Sequence, residues 1–249
     1  MLRPATDLRS AAVLIDRTAG GAVYSCSIAE GFQQGDVFTD GEAALFWHSC
    51  GFAFLCGRYD TALLEELRSR FFDPADLPAR RFVLFSEDAE TVQFFRNQPQ
   101  IEAQERYYFT HDGTMPALPS LPAGFRIAPM GAAILPELHG KITPRFSWTE
   151  DAFLRHGAGF CVMHGDVPAA WAFSAAVSRE EVDIGVETAP DFRQRGLATI
   201  AAGEMLREAL RQGRRPVWAC HAGNTGSARL AERLGFVRKP SGTALSLRA

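Results

Sequence analysis

The 249-residue chain has no uncharged apolar run that approaches the roughly 18 residues needed to cross a bilayer, so it predicts no transmembrane helix. The first residues carry charges too densely for a secretory signal, and no export is expected. The five cysteines are odd in number and lack paired CxxC spacing, which is typical of free thiols in a reducing compartment. We therefore expect a cytoplasmic protein without a membrane partner.

The chain also lacks a strong charge of either sign, since its formal net charge is -3. This charge gives no general attraction to polyanions, so any polyanionic ligand must be held by a local site. Several arginines fall between residues 207 and 215, but interleaved glutamates predict a solvated helix face and no nucleic-acid partner. His48, Cys50 and Cys56 lie in an apolar segment without the spacing of paired ligands, so we expect core packing and no metal site.

The domain organisation is predicted from composition and punctuation. A hydrophobic fraction of 47% is ample for a core, and the length suits one large domain or two small ones. Three prolines in HDGTMPALPSLPAG exclude helix and remove backbone donors, which predicts a linker over residues 116–123. We expect an N-terminal α/β accessory domain at 1–115 and a second domain at 124–249, with an α/β (α+β) fold class.

Local patterns predict the elements of the first half. We expect a brief strand at 11–16, a short apolar helix around 43–47 and a buried strand at 51–56. Asp60 is suited to cap the next helix, which Asp73-Pro74 should end.

In the second half, a strand at 125–129 and a helix over about 132–140 should precede a loop that contains Pro144, Phe146 and Trp148. Strands at 159–164 and 169–177 flank a Gly-Asp-Val-Pro turn and predict a hairpin. The remaining predicted elements are a strand at 216–220, a helix at 224–234 that Asn224 can cap and Gly235 closes, and a last strand from 236 onward.

The second half is organised around residues 182–209. Valine and isoleucine alternate with other residues from 182 to 186, which predicts a strand that ends near Thr188 before Pro190. From Leu197 the apolar residues take the period of an amphipathic helix. The turn between the two elements reads Arg-Gln-Arg-Gly-Leu-Ala.

This turn has the composition of a phosphate-binding helix start. The first turn of a helix has unsatisfied N–H groups and a partial positive charge. Gly196 lets the backbone approach a ligand, and Arg193 and Arg195 add charge. By themselves these residues are equally typical of a solvated basic helix start, so their context decides between the two readings.

Strand, RQRGLA turn, helix, strand, Asn224 and SARLAERLGF together resemble the GNAT superfamily of N-acetyltransferases. The segments from Thr188 to Arg193 and LAERLGF are similar to the zwittermicin-resistance type. The GNAT likeness covers the chain from Gly124 onward, and GEAALFW, FAFLCG and FVLFSEDAE extend a weaker one over the first half. The resemblance implies a mixed, mostly antiparallel sheet flanked by helices, with a degenerate GNAT-like first half.

The resemblance also implies acetyl-CoA as cosubstrate and names the residues that hold it. The family turn has R/Q-x-x-G-x-G/A, and this chain has Ala198 in place of the second glycine. The strand backbone should pair with the pantetheine arm and place an N–H near the thioester oxygen. The expected cofactor-binding residues are Val186, Glu187 and Thr188 on the strand, Arg193, Gln194, Arg195, Gly196, Leu197, Ala198 and Thr199 at the turn, and Asn224 and Ser227 after it.

The catalytic acid is where the sequence departs from the family. Many members have a tyrosine where Ala231 stands, and no tyrosine follows Tyr108. A thiolate with a pKa of about 8.5 leaves readily, so water or another group could protonate it, and His221 is the substitute we predict. Glu187 and Asp183 are the predicted bases for deprotonating an amine.

We therefore expect an acetyl-CoA-dependent N-acetyltransferase that acts on a small amine by direct attack in a ternary complex. Ala231 motivates an alternative, a non-catalytic acyl-CoA-binding or interaction module. The two-half layout motivates another, an aminoacyl- or peptidyl-transferring tandem GNAT. The sequence predicts neither the acceptor nor the oligomeric state.

Overall fold

The computed structural model describes residues 1–73, 75 and 80–248. The chain forms two compact units, each made from more than one stretch of sequence. The first unit contains Met1–Tyr108, Ala219–Gly223 and the residues from Lys239 onward, and the second contains Phe109–Trp218 and Asn224–Arg238. Within the described ranges, no helix is both long and apolar enough to cross a membrane.

Strands and helices alternate along the chain. The strands are β1 Arg3–Pro4, β2 Gly35–Thr39, β3 Ala43–His48, β4 Phe52–Gly57, β5 Val83–Ser86, β6 Ile101–His111, β7 Phe125–Pro129, β8 Gly159–His164, β9 Val167–Val177, β10 Glu181–Thr188, β11 Arg215–His221, β12 Phe236–Arg238 and β13 Gly242–Leu247. The helices are α1 Leu8–Ala12, α2 Ala22–Ala29, α3 Thr61–Phe71, α4 Ala89–Arg96, α5 Glu150–His156, α6 Leu197–Arg211 and α7 Thr225–Arg233.

The sheet of the first unit is mostly antiparallel. Strands β1 to β4 are successive antiparallel neighbours, and β5 then pairs parallel with β4. Strand β13 lies antiparallel between β5 and β6. Large side chains such as Leu45, Leu67, Phe72 and Phe95 are fully buried and form the core. Burial of this apolar surface is the main stabilising term of the unit.

Two sequence predictions in this unit are wrong. The expected strand at 11–16 does not form, because residues 11 and 12 end helix α1 and residues 13–16 are neither helix nor strand. Asp7 caps α1 by accepting the Arg9 N–H at 2.9 Å. The expected helix at 43–47 is strand β3, whose residues are all buried. A short apolar run that is buried on both faces has no period that separates strand from helix, and its pairing with β2 and β4 decides between them.

Helix α3 confirms the predicted cap. The Asp60 carboxylate accepts the Leu63 N–H at 3.0 Å, and Leu67 and Phe71 are buried on the inner face. The helix ends at Phe71, before the predicted stop at Asp73-Pro74, of which Pro74 lies outside the described residues.

The second unit has the same kind of sheet. Strands β7, β8, β9 and β10 are successive antiparallel neighbours, and β11 pairs parallel with the start of β10. Strand β12 pairs with the last residues of β6. Helix α6 packs across β8, β9 and β10. The predicted strands at 125–129 and 159–164 and the hairpin that follows are confirmed.

The helix expected over 132–140 is wrong. Only Leu135–Glu137 forms a single 3-10 turn, because Pro136 lacks an N–H and clashes with the carbonyl of an α-helical turn before it. Helix α5 follows instead, beyond the predicted loop. Thr149 caps it by accepting the Ala152 N–H, and two acidic residues in its first turn are a start signal that sequence reasoning overlooked.

Both units repeat one order of elements: antiparallel strands, then a helix, a parallel strand and a second helix. The predicted fold class, with a mixed and mostly antiparallel sheet flanked by helices, is confirmed. Residues 116–123 form neither helix nor strand and lie within the second unit, while β13 joins the first. The functional division into an accessory half at 1–115 and a catalytic half at 124–249 stays a prediction.

Candidate active site

The turn between β10 and α6 is exposed and has open backbone donors. Residues 193–196 are exposed, and Gln194 and Gly196 have left-handed φ angles of 62° and 74°. Gly196 precedes α6 without a side-chain cap, and the first helical turn contains no acidic residue. The open N–H groups and the positive end of a 15-residue helix therefore favour an anion at this turn.

The arginines of the turn are held by weak local contacts. Arg193 Nε lies 3.5 Å from the Thr188 carbonyl oxygen. One Arg195 terminal nitrogen lies 3.4 Å from the Asp191 carbonyl oxygen, and its guanidinium stands 5.6 Å from the Phe192 ring centroid. Neither arginine forms a carboxylate ion pair among the described residues, so both charges are available to a phosphate.

Two other predicted turn residues are anchored in the core. The side chains of Leu197 and Thr199 are buried, whereas Ala198 is half-buried. The Thr199 N–H also donates to the Gly196 carbonyl at 3.0 Å. A contact from Leu197 or Ala198 to a phosphate would therefore use the backbone N–H rather than the side chain.

Strand β10 loses one neighbour as it approaches the turn. It pairs with β11 over its first three residues only, but with β9 as far as Thr188. A register shift in the β9 pairing occurs directly after Asp183. The half-buried residues Val186, Glu187 and Thr188 thus have no β11 partner, which leaves backbone groups on that side for an extended ligand.

Asn224 and Ser227 both have structural roles at the start of α7. The Asn224 side-chain oxygen accepts the Ser227 N–H at 3.1 Å, as expected for an N-cap. The Ser227 hydroxyl accepts the indole N–H of buried Trp218 at 3.0 Å. The cap predicted for Asn224 is confirmed, and the cofactor contacts of both residues stay predictions.

The Glu187 carboxylate is tied to a loop that the sequence did not connect with it. One oxygen accepts the Ile142 N–H at 2.7 Å, and the Ile142 carbonyl accepts the indole N–H of Trp171 at 2.7 Å. Trp171 stands opposite Glu187 in the β9–β10 pairing. A side chain at Gly140 would overlap both the carboxylate and the indole. Glu187 and Trp171 therefore hold both backbone groups of Ile142, an arrangement that we call the Ile142 clamp.

The other strand carboxylates have different surroundings. Asp183 is 6% exposed, and so is more buried than the half-exposed strand face expected for it. Glu181 pairs with Arg215 at 2.6 Å. A burial that excludes solvent disfavours contact between Asp183 and an acceptor amine, so Glu187 is the better placed of the two predicted bases.

His221 belongs to the first unit, as do the charged groups that act on it. Burial lowers its pKa, and the charges of Arg106 and Arg81 lower it further, against a smaller opposing effect of Glu102. A neutral imidazole at neutral pH is less able to donate a proton than the catalytic role requires. The catalytic role of His221 stays a prediction.

Ala231 is fully buried in α7, at the position where the resemblance implies the family's tyrosine. The second unit contains no tyrosine, because Tyr108 is the last tyrosine in the sequence and belongs to the first unit. No phenol hydroxyl of this unit can therefore protonate a leaving thiolate.

The remaining sequence candidates are structural. His48 Nδ1 lies 3.2 Å from the Cys50 sulfur, and burial lowers the His48 pKa to about 3 and raises that of Cys50 to about 12. Both are therefore neutral core groups. Among the residues the structure describes, no three potential ligands converge to hold a metal ion. Arg207 and Arg211 pair with glutamates on their own helix face.

The family model for GNAT acetyltransferases matches residues 14–244, which include both units and the whole β10–α6 joint. The chain belongs to the GNAT acetyltransferase family. Its members transfer acyl groups. No curated protein is significantly similar in sequence.

Solved GNAT structures resemble the chain over nearly its full length at low identity. A GCN5-related N-acetyltransferase-like protein from Streptococcus suis is 21% identical, with a TM-score of 0.77 over 97% of this chain and 98% of that one. A GCN5-related N-acetyltransferase from Sphaerobacter thermophilus is 13% identical, with a TM-score of 0.65 over 98% and 94%. A tandem GNAT protein from the clavulanic acid biosynthesis pathway is 15% identical, with a TM-score of 0.58 over 100% and 99%. These likenesses concern the fold, and the repeated element order agrees with a GNAT-like first half.

Proposed function

We propose that this GNAT acetyltransferase is an acetyl-CoA-dependent N-acetyltransferase of the zwittermicin-resistance type that acetylates a small amine. The observation that carries the proposal is the joint of β10 and α6, where an open helix start adjoins a strand without a neighbour on one side. Free thiols at all five cysteines support a cytoplasmic location. We assign the cosubstrate to the half at 124–249 and an accessory role to 1–115.

The turn supplies the charge that a pyrophosphate needs. Backbone N–H groups after Gly196 and the guanidinium groups of Arg193 and Arg195 would hold it. A Cβ at Gly196 would meet no atom within 4 Å, so space for a bulky anion lies directly outside the backbone. Asn224 and Ser227 would contact the arm of the cosubstrate beyond the turn.

Strand β10 supplies the hydrogen-bond donor that faces the carbonyl oxygen of the acyl group. Val186 and Thr188 would pair through their backbones with an extended pantetheine chain, and an N–H of this segment would stabilise the oxyanion of the tetrahedral intermediate. The amine nitrogen attacks the thioester carbon, the carbon–sulfur bond breaks, and the amine proton passes to Glu187 or to Asp183.

Protonation of the leaving thiolate is the unusual step in this chain. With Ala231 at the tyrosine position, water would deliver the proton, because the lowered pKa of His221 leaves that residue a poor proton donor at neutral pH. The reaction tolerates this absence because a thiolate with a pKa of about 8.5 is a good leaving group at neutral pH.

Calorimetric titration of CoA against Gly196→Glu tests the site. Gly213 at the other end of α6 is a matched control, because it also has a left-handed φ, 70°, and open space at its Cβ position. Each substitution adds about 1–2 kcal/mol of backbone strain and one negative charge. We expect Gly196→Glu to weaken CoA binding at least about tenfold and Gly213→Glu to leave it unchanged. Equal affinities of the two variants would refute the turn assignment.

The buried Ala231 also favours a second candidate, a non-catalytic acyl-CoA-binding or interaction module. Thiol release from acetyl-CoA, measured over a panel of amines, separates it from the enzyme. CoA binding without thiol release on any amine would favour the module. The repeated element order favours a third, an aminoacyl- or peptidyl-transferring tandem GNAT, which would release thiol only with an amino-acid or peptide acyl donor.

A further inference from the structure

The first unit contains a cavity of about 220 Å³ at the carboxyl ends of its two parallel strands. Strands β4 and β5 pair only as far as Phe54 and Phe85, and their following residues line the cavity on two sides. Apolar groups of Ile15, Ala22 and Leu55 complete the interior. All of its walls belong to the first unit, so the cavity is separate from the acyl-transfer site assigned to β10 and α6.

The first unit offers no open helix start to a phosphate at this place. The carboxylate of Asp60 accepts a hydrogen bond from the Leu63 N–H of α3. The carboxylate of Asp88 accepts one from the Thr91 N–H of α4 at 2.7 Å. Each helix start therefore already carries a negative charge where α6 carries none. Carboxylates at both starts would repel a pyrophosphate, which makes a second CoA site here unfavourable.

The wall residues with charge are Asp16, Glu87 and Asp88. Hydrogen bonds from the hydroxyl and the backbone N–H of Thr18 lower the pKa of Asp16, and the charge of Lys239 lowers it by a smaller amount. Glu87 and Asp88 form no ion pair among the described residues.

Asp16, Glu87 and Asp88 form the rim of the cavity. Two positively charged features lie next to this rim, but they do not neutralise its negative charge. Glu87 accepts the Gly20 N–H at the start of α2, so the positive end of that helix already faces a carboxylate. Arg106 stands over the Phe85 ring, 5.0 Å from its centroid. The rim therefore holds an excess of carboxylate, which favours a cation.

The interior contains one hydroxyl without a proper partner. Ser25 is 1% exposed and lines the cavity, and its Oγ forms no hydrogen bond to an oxygen or nitrogen atom. The neighbouring Cys56 thiol is a weak partner, and burial raises its pKa to about 12, so it stays protonated. By contrast, the wall hydroxyls of Tyr59 and Ser86 have hydrogen-bond partners. An unpartnered buried hydroxyl is unfavourable unless a ligand or water completes it.

We propose that this cavity binds a small primary amine, with its ammonium group at Glu87 and Asp88, its apolar chain inside, and one water molecule retained at the Ser25 hydroxyl. The volume corresponds to about seven water molecules at about 30 Å³ each, so a ligand beside that water is limited to about six or seven non-hydrogen atoms. Hexylamine has this size and charge. Binding here requires no acyl transfer, so it is measurable whether or not the second unit acetylates amines.

Calorimetric titration of the full chain with hexylamine at neutral pH tests the proposal, with 1-hexanol and hexanoate as neutral and anionic probes of similar size. We expect one hexylamine per chain, bound at least about tenfold more tightly than either control. Equal binding of 1-hexanol, or tighter binding of hexanoate, would overturn the proposal.

Two variants locate the ligand. Glu87→Gln with Asp88→Asn removes two of the three wall carboxylates, those proposed to hold the ammonium group, but keeps acceptors for the Gly20 and Thr91 N–H groups. We expect it to weaken hexylamine binding about tenfold or more. Glu90→Gln on the same helix removes an exposed charge that does not line the cavity, and it should leave binding unchanged. Ala22→Leu fills the interior and should abolish binding while the circular dichroism spectrum is retained. If the double variant and Glu90→Gln bind hexylamine alike, the amine is not at this rim.

Discussion

The carboxylate of Glu187 accepts the backbone N–H of Ile142 at 2.7 Å, and this contact joins the predicted base to the loop before α5. The Glu187 carboxylate is therefore not simply a solvated group on the face of the strand. One oxygen positions the loop, and the other is available for a proton. A loop held in this way can orient an acceptor toward the carboxylate that we predict to be the base.

Substitution of Glu187 separates these two roles. Glu187→Gln keeps an oxygen acceptor for Ile142 and loses the base, so we expect nearly unchanged stability but a kcat lower by about 100-fold or more, without the acidic limb of the pH profile. Glu187→Ala should also lose about 1 kcal/mol of unfolding free energy because the clamp hydrogen bond is gone. Steady-state thiol release and urea unfolding measure the two effects. A Gln variant with full activity, beside an inactive Asp183→Asn, would transfer the base role to Asp183.

Gly140 should be intolerant of a side chain. An added Cβ would lie 2.6 Å from Trp171 and would overlap the Glu187 carboxylate, so the loop must move away from the clamp. We expect Gly140→Ala to reduce stability by about 1–3 kcal/mol and to raise KM for the amine. Gly131 on the same connection is the control, because its Cβ would meet nothing within 4 Å. Thermal unfolding and amine titration of both variants provide the comparison, and equal behaviour would mean that the clamp does not constrain the loop.

Ser227 should matter for stability more than for cofactor affinity. Ser227→Ala leaves the buried Trp218 indole N–H without its acceptor, which we expect to lower the unfolding free energy by about 1–3 kcal/mol. Ser227→Thr retains the hydroxyl and should be nearly neutral. Urea unfolding tests this, and CoA titration adds the second readout. A large loss of CoA affinity in the stable Thr variant would instead indicate a direct contact with the cosubstrate.

Acidification should destabilise the first unit through His48. Burial, helped by Arg80, lowers its pKa to about 3, whereas the unfolded chain protonates it below about pH 6.5. Between these values the unfolded state binds one more proton, so stability decreases as the pH is lowered, by up to about 1.4 kcal/mol per pH unit. His48→Asn keeps an acceptor for the Cys50 N–H and does not titrate. Urea midpoints at about pH 7 and about pH 5 should therefore differ less in the variant; an equal difference would exclude His48 as the cause.

Much of the joint between β10 and α6 was predictable, because its determinants are local. The change from period 2 to period 3.6 marks the end of β10 and the start of α6, and Gly196 supplies the left-handed residue between them. The caps at Asp60 and Asn224 were readable for the same reason, since a cap and its N–H lie three residues apart.

The same local reasoning failed at β3 and at the helix expected over 132–140, for different physical reasons. The apolar run of β3 suits helix or strand equally, and only its neighbours β2 and β4 fix it. Pro136 reduces an expected helix to one 3-10 turn.

The sequence by itself determined the family, the fold class and the turn between β10 and α6, since each depends on residues that are close together along the chain. Only the tertiary structure decided that Glu187 holds Ile142, 45 residues away, and that β13 completes the sheet of the first unit. The cavity beside Ser25 is a further case, because residues from 15 to 108 form its walls. Such relationships depend on pairing between distant segments, whose geometry no short-range periodicity or spacing encodes.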